Sequence, residues 1–324
     1  MRKFLKIGCL IVVSVGLLVA LAGAAAIFYF DSQYAFLSPG PVILHESVTS
    51  LHPAIHGVLD PAPLVEIARR RASKAYGRDI PPWLVSFAMP YSVSFIASAD
   101  HDSGTIPLET LINEKRFGPV FVNFYREFTK DLKDSPLGWS SDSLVLERRG
   151  LLRLTGGVGM EPQSREAAWY EWTHSADRTA LPLEGGHLLE VVADNREGDA
   201  YAAASSLMDA LDFKLEERAS DISFTSFQFV TSMRLTADLD GAGDLKLRLT
   251  MEVIPETKDR IAVINLKVAL DKAFVSISET WKKEHDVTFE GGSEWRDNVV
   301  VFNYVLKDFD RFLDLCLDGR IKAN

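Results

Sequence analysis

From residue 7 to residue 30 the chain carries no charged side chain and is built mostly from Leu, Val, Ala, Ile and Phe. A helix crosses the hydrocarbon core with about 20 apolar residues, so this run predicts one N-terminal transmembrane helix. Beyond it the apolar positions fall into two periods. Val85, Phe87, Met89, Tyr91, Val93, Phe95, Ala97 and Ala99 alternate with Ser86, Ser92, Ser94 and Ser98 among others, which predicts one bent strand or two in sequence around Pro90. A second alternation runs through Phe227, Phe229, Met233, Leu235, Ala237 and Leu239, and resumes at Leu245, Leu247, Leu249, Met251 and Val253 after Gly241-Ala242-Gly243. This pattern predicts a hairpin with Leu239 opposite Leu245, Ala237 opposite Leu247, Leu235 opposite Leu249 and Met233 opposite Met251. Gly243 takes the positive φ that such a loop needs.

After Pro255 the period becomes helical. Leu266, Leu270, Phe274, Ile277 and Trp281 fall on one stripe of a long helix. A hairpin over residues 287–306 follows, with Gly291-Gly292 at its expected bend. Phe309, Phe312, Leu313, Cys316 and Leu317 then supply a last amphipathic turn or two, with Cys316 as a core residue. Near the start, a helix is expected after Asp60 or Pro61, with Pro63 in its first turn and Leu64, Ile67, Ala68 and Ala75 as its stripe.

Residues 121–130 share the apolar pattern of residues 274–283, and each segment follows an alternating strand and precedes a hairpin candidate, 144–154 or 287–306. The chain therefore reads as an internal duplication of a strand, helix, hairpin unit, joined between Gly156 and Gly186. The expected fold class is α+β, with antiparallel sheets and long hairpins packed on amphipathic helices. The expected organisation is a basic cytoplasmic tail (1–6), a transmembrane anchor (7–30), a stalk or irregular lead-in rich in proline (31–62), a first α+β unit (63–160) and a second (161–324).

Composition adds limits to this plan. At 324 residues, 47% hydrophobic and 25% charged, the chain is long and apolar enough for a substantial core. Arg2, Lys3 and Lys6 precede the apolar run and Asp31 follows it, so the positive-inside bias places the N-terminus in the cytoplasm and the rest outside. Small-residue triplets such as Ala20-Leu21-Ala22 resemble a signal-peptide cleavage site. The run nevertheless continues through Ile27, Phe28, Tyr29 and Phe30, which suits an interface better than a mature N-terminus. Leaving out the three basic groups ahead of the run takes the formal charge from −10 to −13, and such an acidic domain disfavours nucleic acid and anionic headgroups as broad partners. The basic run Arg69-Arg70-Arg71, with Lys74 and Arg78 nearby, reads as one solvated helix face. Cys9 and Cys316 leave no disulfide to form within the outer domain. Its Asn residues form no glycosylation acceptor, which leans toward a bacterial envelope.

Three constellations carry candidate chemistry. His45, His52 and His56 have the donor type of a metal site, although Pro53 breaks the helical spacing between the last two. Asp100, His101 and Asp102 place a base between two carboxylates ahead of Ser103-Gly104. Neighbours in sequence point in different directions, however, and a polar turn accounts for them. Trp169, Tyr170 and Trp172 form an aromatic cluster that binds a ligand if exposed and packs as core if buried. Asp238, Asp240 and Asp244 imitate a calcium loop without the Glu that closes one, and no nucleotide or cofactor motif occurs. The expectation is a single-pass, extracytoplasmic envelope protein, periplasmic in a cell with two membranes. It would act as a non-enzymatic binding or scaffold module for an envelope protein or lipid. The alternatives are a carrier of lipid or another apolar ligand, and an envelope hydrolase or metalloenzyme using His101 or the three lead-in histidines.

Overall fold

The computed structural model describes residues 54–97, 106–113, 144–146, 151–158, 181–203 without 197, 227, 229–254 and 260–317. Ten strands form one antiparallel sheet: β1 (Ile55–Leu59), β2 (Ser92–Ala97), β3 (Ile106–Asn113), β4 (Leu144–Leu146), β5 (Leu151–Val158), β6 (Leu189–Asp194), β7 (Val230–Leu239), β8 (Leu245–Val253), β9 (Phe289–Arg296) and β10 (Val299–Leu306). Their order across the sheet is β4-β5-β3-β2-β1-β6-β7-β8-β10-β9. Counted outward from the central pair β1 and β6, both halves therefore have the same arrangement: the fifth strand lies between the third and the fourth. The described helices include α1 (Val65–Tyr76), entered through a 3-10 turn at Ala62–Leu64, α2 (Pro82–Ala88), α3 (Arg260–His285) and α4 (Phe309–Leu317). The mixed α+β class and the antiparallel sheet are thus as the sequence predicts. Among the described residues no helix is long and apolar enough to cross a membrane. Residues 7–30 lie outside them.

The β7–β8 hairpin has the predicted register at all four pairs, from Leu239↔Leu245 to Met233↔Met251. Gly243 has φ +86° in its loop. With a side-chain period of two, that register sends Leu247, Leu249, Met251 and Val253 to one face and Lys246, Arg248 and Glu252 to the other. β10 continues the first face with Val300, Phe302, Tyr304 and Leu306, and α3 lays Val263, Leu266, Leu270, Phe274 and Trp281 across it. Phe274 stacks on Tyr304 with ring centroids 4.1 Å apart, and Phe289 stacks on the same ring at 5.1 Å. Ile277, expected on this stripe, is exposed instead.

Four expectations are corrected. The bend of the last hairpin lies at Asp297-Asn298, where Asp297 has φ +51°, and Gly291-Gly292 falls inside β9. Gly291 is there for close approach: a Cβ would lie 2.1 Å from the Asn303 carbonyl oxygen and 2.5 Å from the Tyr304 ring. The stretch read as one bent strand or two around Pro90 begins with α2, because Pro81-Pro82 opens a helix. β2 starts only at Ser92. Residues 55–59, read as part of the lead-in, form the central strand β1, bonded to β2 on one side and β6 on the other. Finally, the arginine run is not one solvated face. Arg71 donates to the Asp310 carbonyl at 2.8 Å and meets Asp314 at 3.1 Å, and Arg70 pairs with Asp310 at 2.9 Å, which ties α1 to α4.

Candidate functional site

On the face of the sheet opposite α3, three ionisable side chains converge near the centre, beside buried apolar residues. β1 directs His56 to this face, between Val192 of β6 and Ile96 of β2 in register. All three are fully buried. One step along β6, Glu190 sits opposite Thr236 of β7, and Arg234 of β7 sits opposite Val192. Glu190 is fully buried and pairs with Arg234, which is half-buried.

Residues 181–187 form a strap over this cluster, and every member of the cluster holds its backbone. The Nε2–H of His56 donates to the Leu181 carbonyl at 2.9 Å. Arg234 donates to the Pro182 carbonyl at 2.8 Å. The Glu190 carboxylate accepts the N–H groups of Glu184 and Gly185, each at 2.9 Å. Gly185 and Gly186 both have positive φ, +75° and +80°, and turn the strap back into β6. Successive N–H groups converging on a carboxylate in such a turn form an anion-binding nest, and here the anion is the chain's own Glu190. At the strap's end His187 bonds Asp238 at 2.9 Å.

The chemistry follows from these contacts. A carbonyl partner fixes the proton of His56 on Nε2, so Nδ1 carries a lone pair. That nitrogen is buried and has no hydrogen-bond partner among the described residues. Burial is the main reason that the His56 pKa is lowered from 6.5 to about 4, so the ring is neutral at physiological pH. Among the described residues no group of three or more His, Cys, Asp or Glu side chains could hold a metal ion. The three aspartates of the calcium-like loop have protein partners. Asp240 accepts the N–H groups of Ala242 and Asp244, Asp244 pairs with Lys307 at 2.8 Å, and Asp238 holds His187.

Of the three constellations that carry candidate chemistry in the sequence, only His56 is described. His45, His52, Asp100, His101, Asp102, Trp169, Tyr170 and Trp172 lie outside the described residues. The spacing of the histidines does not reveal the partner that His56 has, the Leu181 carbonyl. Sequence reading misses Glu190 and Arg234 altogether. The available signal is a lone carboxylate inside the otherwise apolar run from Leu188 to Ala193, since a charge in such a run is seldom buried without a partner.

No protein-family profile matches the chain, and no curated protein matches it. Among solved structures, that of TP0453 in its crystal form IV is similar over 86% of this chain and 97% of that one, with 11% sequence identity and a TM-score of 0.35.

Proposed function

We propose that the chain is a membrane-anchored, extracytoplasmic envelope protein whose α+β region acts as a non-enzymatic binding or scaffold module. The observation that carries this reading is the uncharged run 7–30, flanked by Arg2, Lys3 and Lys6 on one side and Asp31 on the other. The buried polar groups fit a scaffold, because the His56 Nε2–H, Glu190 and Arg234 each hydrogen-bond the strap backbone. The carrier reading needs a hollow interior, and in the second half the space between α3 and the sheet is filled by Phe274, Phe289, Phe302 and Tyr304. The hydrolase or metalloenzyme reading depends on His101 and its neighbours or on His45, His52 and His56, and of these only His56 is among the described residues.

Within this proposal the outer region is a duplication, a unit of residues 63–160 preceded by β1 and a second of residues 161–324. The shared strand order of the two halves supports it, as does the apolar match of 121–130 with 274–283, of which the first segment lies outside the described residues. Fusing a reporter enzyme that is active only outside the cytoplasm to the C-terminus tests the topology. The expected result is an active fusion in the carbonate-resistant membrane fraction, with loss of both properties when residues 1–30 are removed. An active fusion recovered in the soluble fraction, or an inactive one in the membrane, would overturn the reading.

A further inference from the structure

The connection between α1 and α2 projects an exposed knuckle. Tyr76 ends α1 with 73% of its surface accessible, and Trp83 and Leu84 open α2 at 68% and 42%. Pro81 and Pro82 are exposed beside them, and only Ile80 is buried, with its N–H held by the Ser73 hydroxyl at 2.9 Å. The same knuckle carries Lys74 and Arg78, both exposed, and neither is ion-paired among the described residues. Its carboxylate Asp79 pairs with Arg69 at 2.7 Å, a guanidinium it shares with Glu66. In a chain of net charge −10, residues 74–84 thus present two aromatic rings, a leucine and two cations without an ion pair among the described residues.

We infer that this knuckle docks onto an anionic lipid bilayer. Indole and phenol rings favour the headgroup level, where an apolar body meets water at its polar tip. Lys and Arg beside them are drawn to anionic headgroups. The outer side of α3 also exposes apolar residues, Ile261, Ile264, Val268 and Val275, but it lacks aromatic rings, and there Lys267 and Lys272 are balanced by Asp271, paired with Lys267 at 2.8 Å, and Glu279. The inference rests on the anchor proposed above. Residues 31–53 would join that anchor to Ala54 and span at most about 80 Å when fully extended. The knuckle, on the first helices after the tether, is thus held within reach of the bilayer.

The test uses the full chain with Cys9→Ser and Cys316→Ser, and a bimane label on Ala75→Cys, an exposed position next to Tyr76. It is reconstituted into phosphatidylcholine vesicles with and without phosphatidylglycerol. Docking is read as quenching by a lipid-bound nitroxide and protection from aqueous iodide. The expected result is lipid quenching that is stronger with phosphatidylglycerol, weakens with added salt and is lost in Trp83→Ser. Lys74→Gln and Arg78→Gln should each lower the docked-to-free ratio about fivefold. A chain that floats with the vesicles while its label is quenched by iodide alone keeps the anchor and overturns the docking. Protection from both quenchers assigns the knuckle to a protein partner, which also overturns it. A chain that stays in solution refutes the anchor, and lipid quenching on mixing with the same vesicles then decides the docking by itself.

Discussion

On the helix side of β8 and β10 the sheet is held by shape. Phe302 and Met251 are fully buried, and Phe274, Phe289 and Tyr304 pack ring on ring beneath α3. On the opposite side, over β1, β6 and β7, it is held by direction: a histidine, a glutamate and an arginine each engage a named carbonyl or N–H of the strap. Apolar burial is additive in area and tolerant of the exact partner. A buried polar network is neither, because each group left unpaired bears its desolvation cost. The apolar side should therefore lose stability by volume removed, and the polar side by partner removed.

The largest effect is expected on the apolar side. Phe302→Ala deletes a fully buried ring that faces Phe274, and chemical denaturation should show a loss of about 4 kcal/mol. Phe302→Leu, which keeps most of the volume, should recover more than half of it.

The polar side should respond differently. Glu190→Gln hardly changes volume, yet it removes the charge opposite Arg234 and turns an amide NH2 toward donors. A loss of about 3 kcal/mol is expected, at the lower end for a broken buried pair because Arg234 is partly exposed. Replacing both Glu190 and Arg234 by Met should not restore the protein, since the N–H groups of Glu184 and Gly185 then lose their acceptor. If that double variant matches the wild type in denaturation, the strap is not what the carboxylate holds, and the contrast between the two sides fails.

His56 gives the comparison a pH axis. Its folded pKa of about 4 lies below the usual 6.5, so the unfolded chain takes up the proton first. The contribution of the neutral ring is complete above pH 6.5, declines as the pH falls and is gone once the pH has passed through about 4, a loss of at most about 3 kcal/mol. His56→Leu should flatten stability between pH 6.5 and 4 while lowering it at pH 7. Phe302→Ala should shift the whole curve and leave its slope unchanged.

The same contrast explains how much could be read in advance. The β7–β8 register is legible because alternation and a Gly-rich loop specify it locally, and α3 because its apolar stripe recurs over many turns. β1 is not legible: Ile55-His56-Gly57-Val58-Leu59 is too short for a period and contains a His and a Gly. Gly57 makes sense only in place, where a Cβ would lie 2.5 Å from the Phe95 ring across the strand pair. In α2, Trp83, Val85 and Phe87 satisfy a strand period as well as a short helix, and the preceding prolines decide between them. The candidate site is less legible still. Arg234 and Glu190 are 44 residues apart, and directional pairing leaves no period in a sequence.

The smallest effect is expected where direction acts at the surface. Arg71 joins α1 to α4 through the Asp310 carbonyl and the carboxylates of Asp310 and Asp314, but water reaches all three side chains. Arg71→Ala should cost about 1 kcal/mol or less and lose part of that cost in high salt, as exposed pairs do. The Glu190 deficit should change little with salt, because its carboxylate is sealed from solvent. Measuring both variants at low and high ionic strength separates two arginine–carboxylate contacts of similar chemistry. If the Glu190 deficit shrinks with salt as much as that of Arg71, burial is not what makes the central cluster strong.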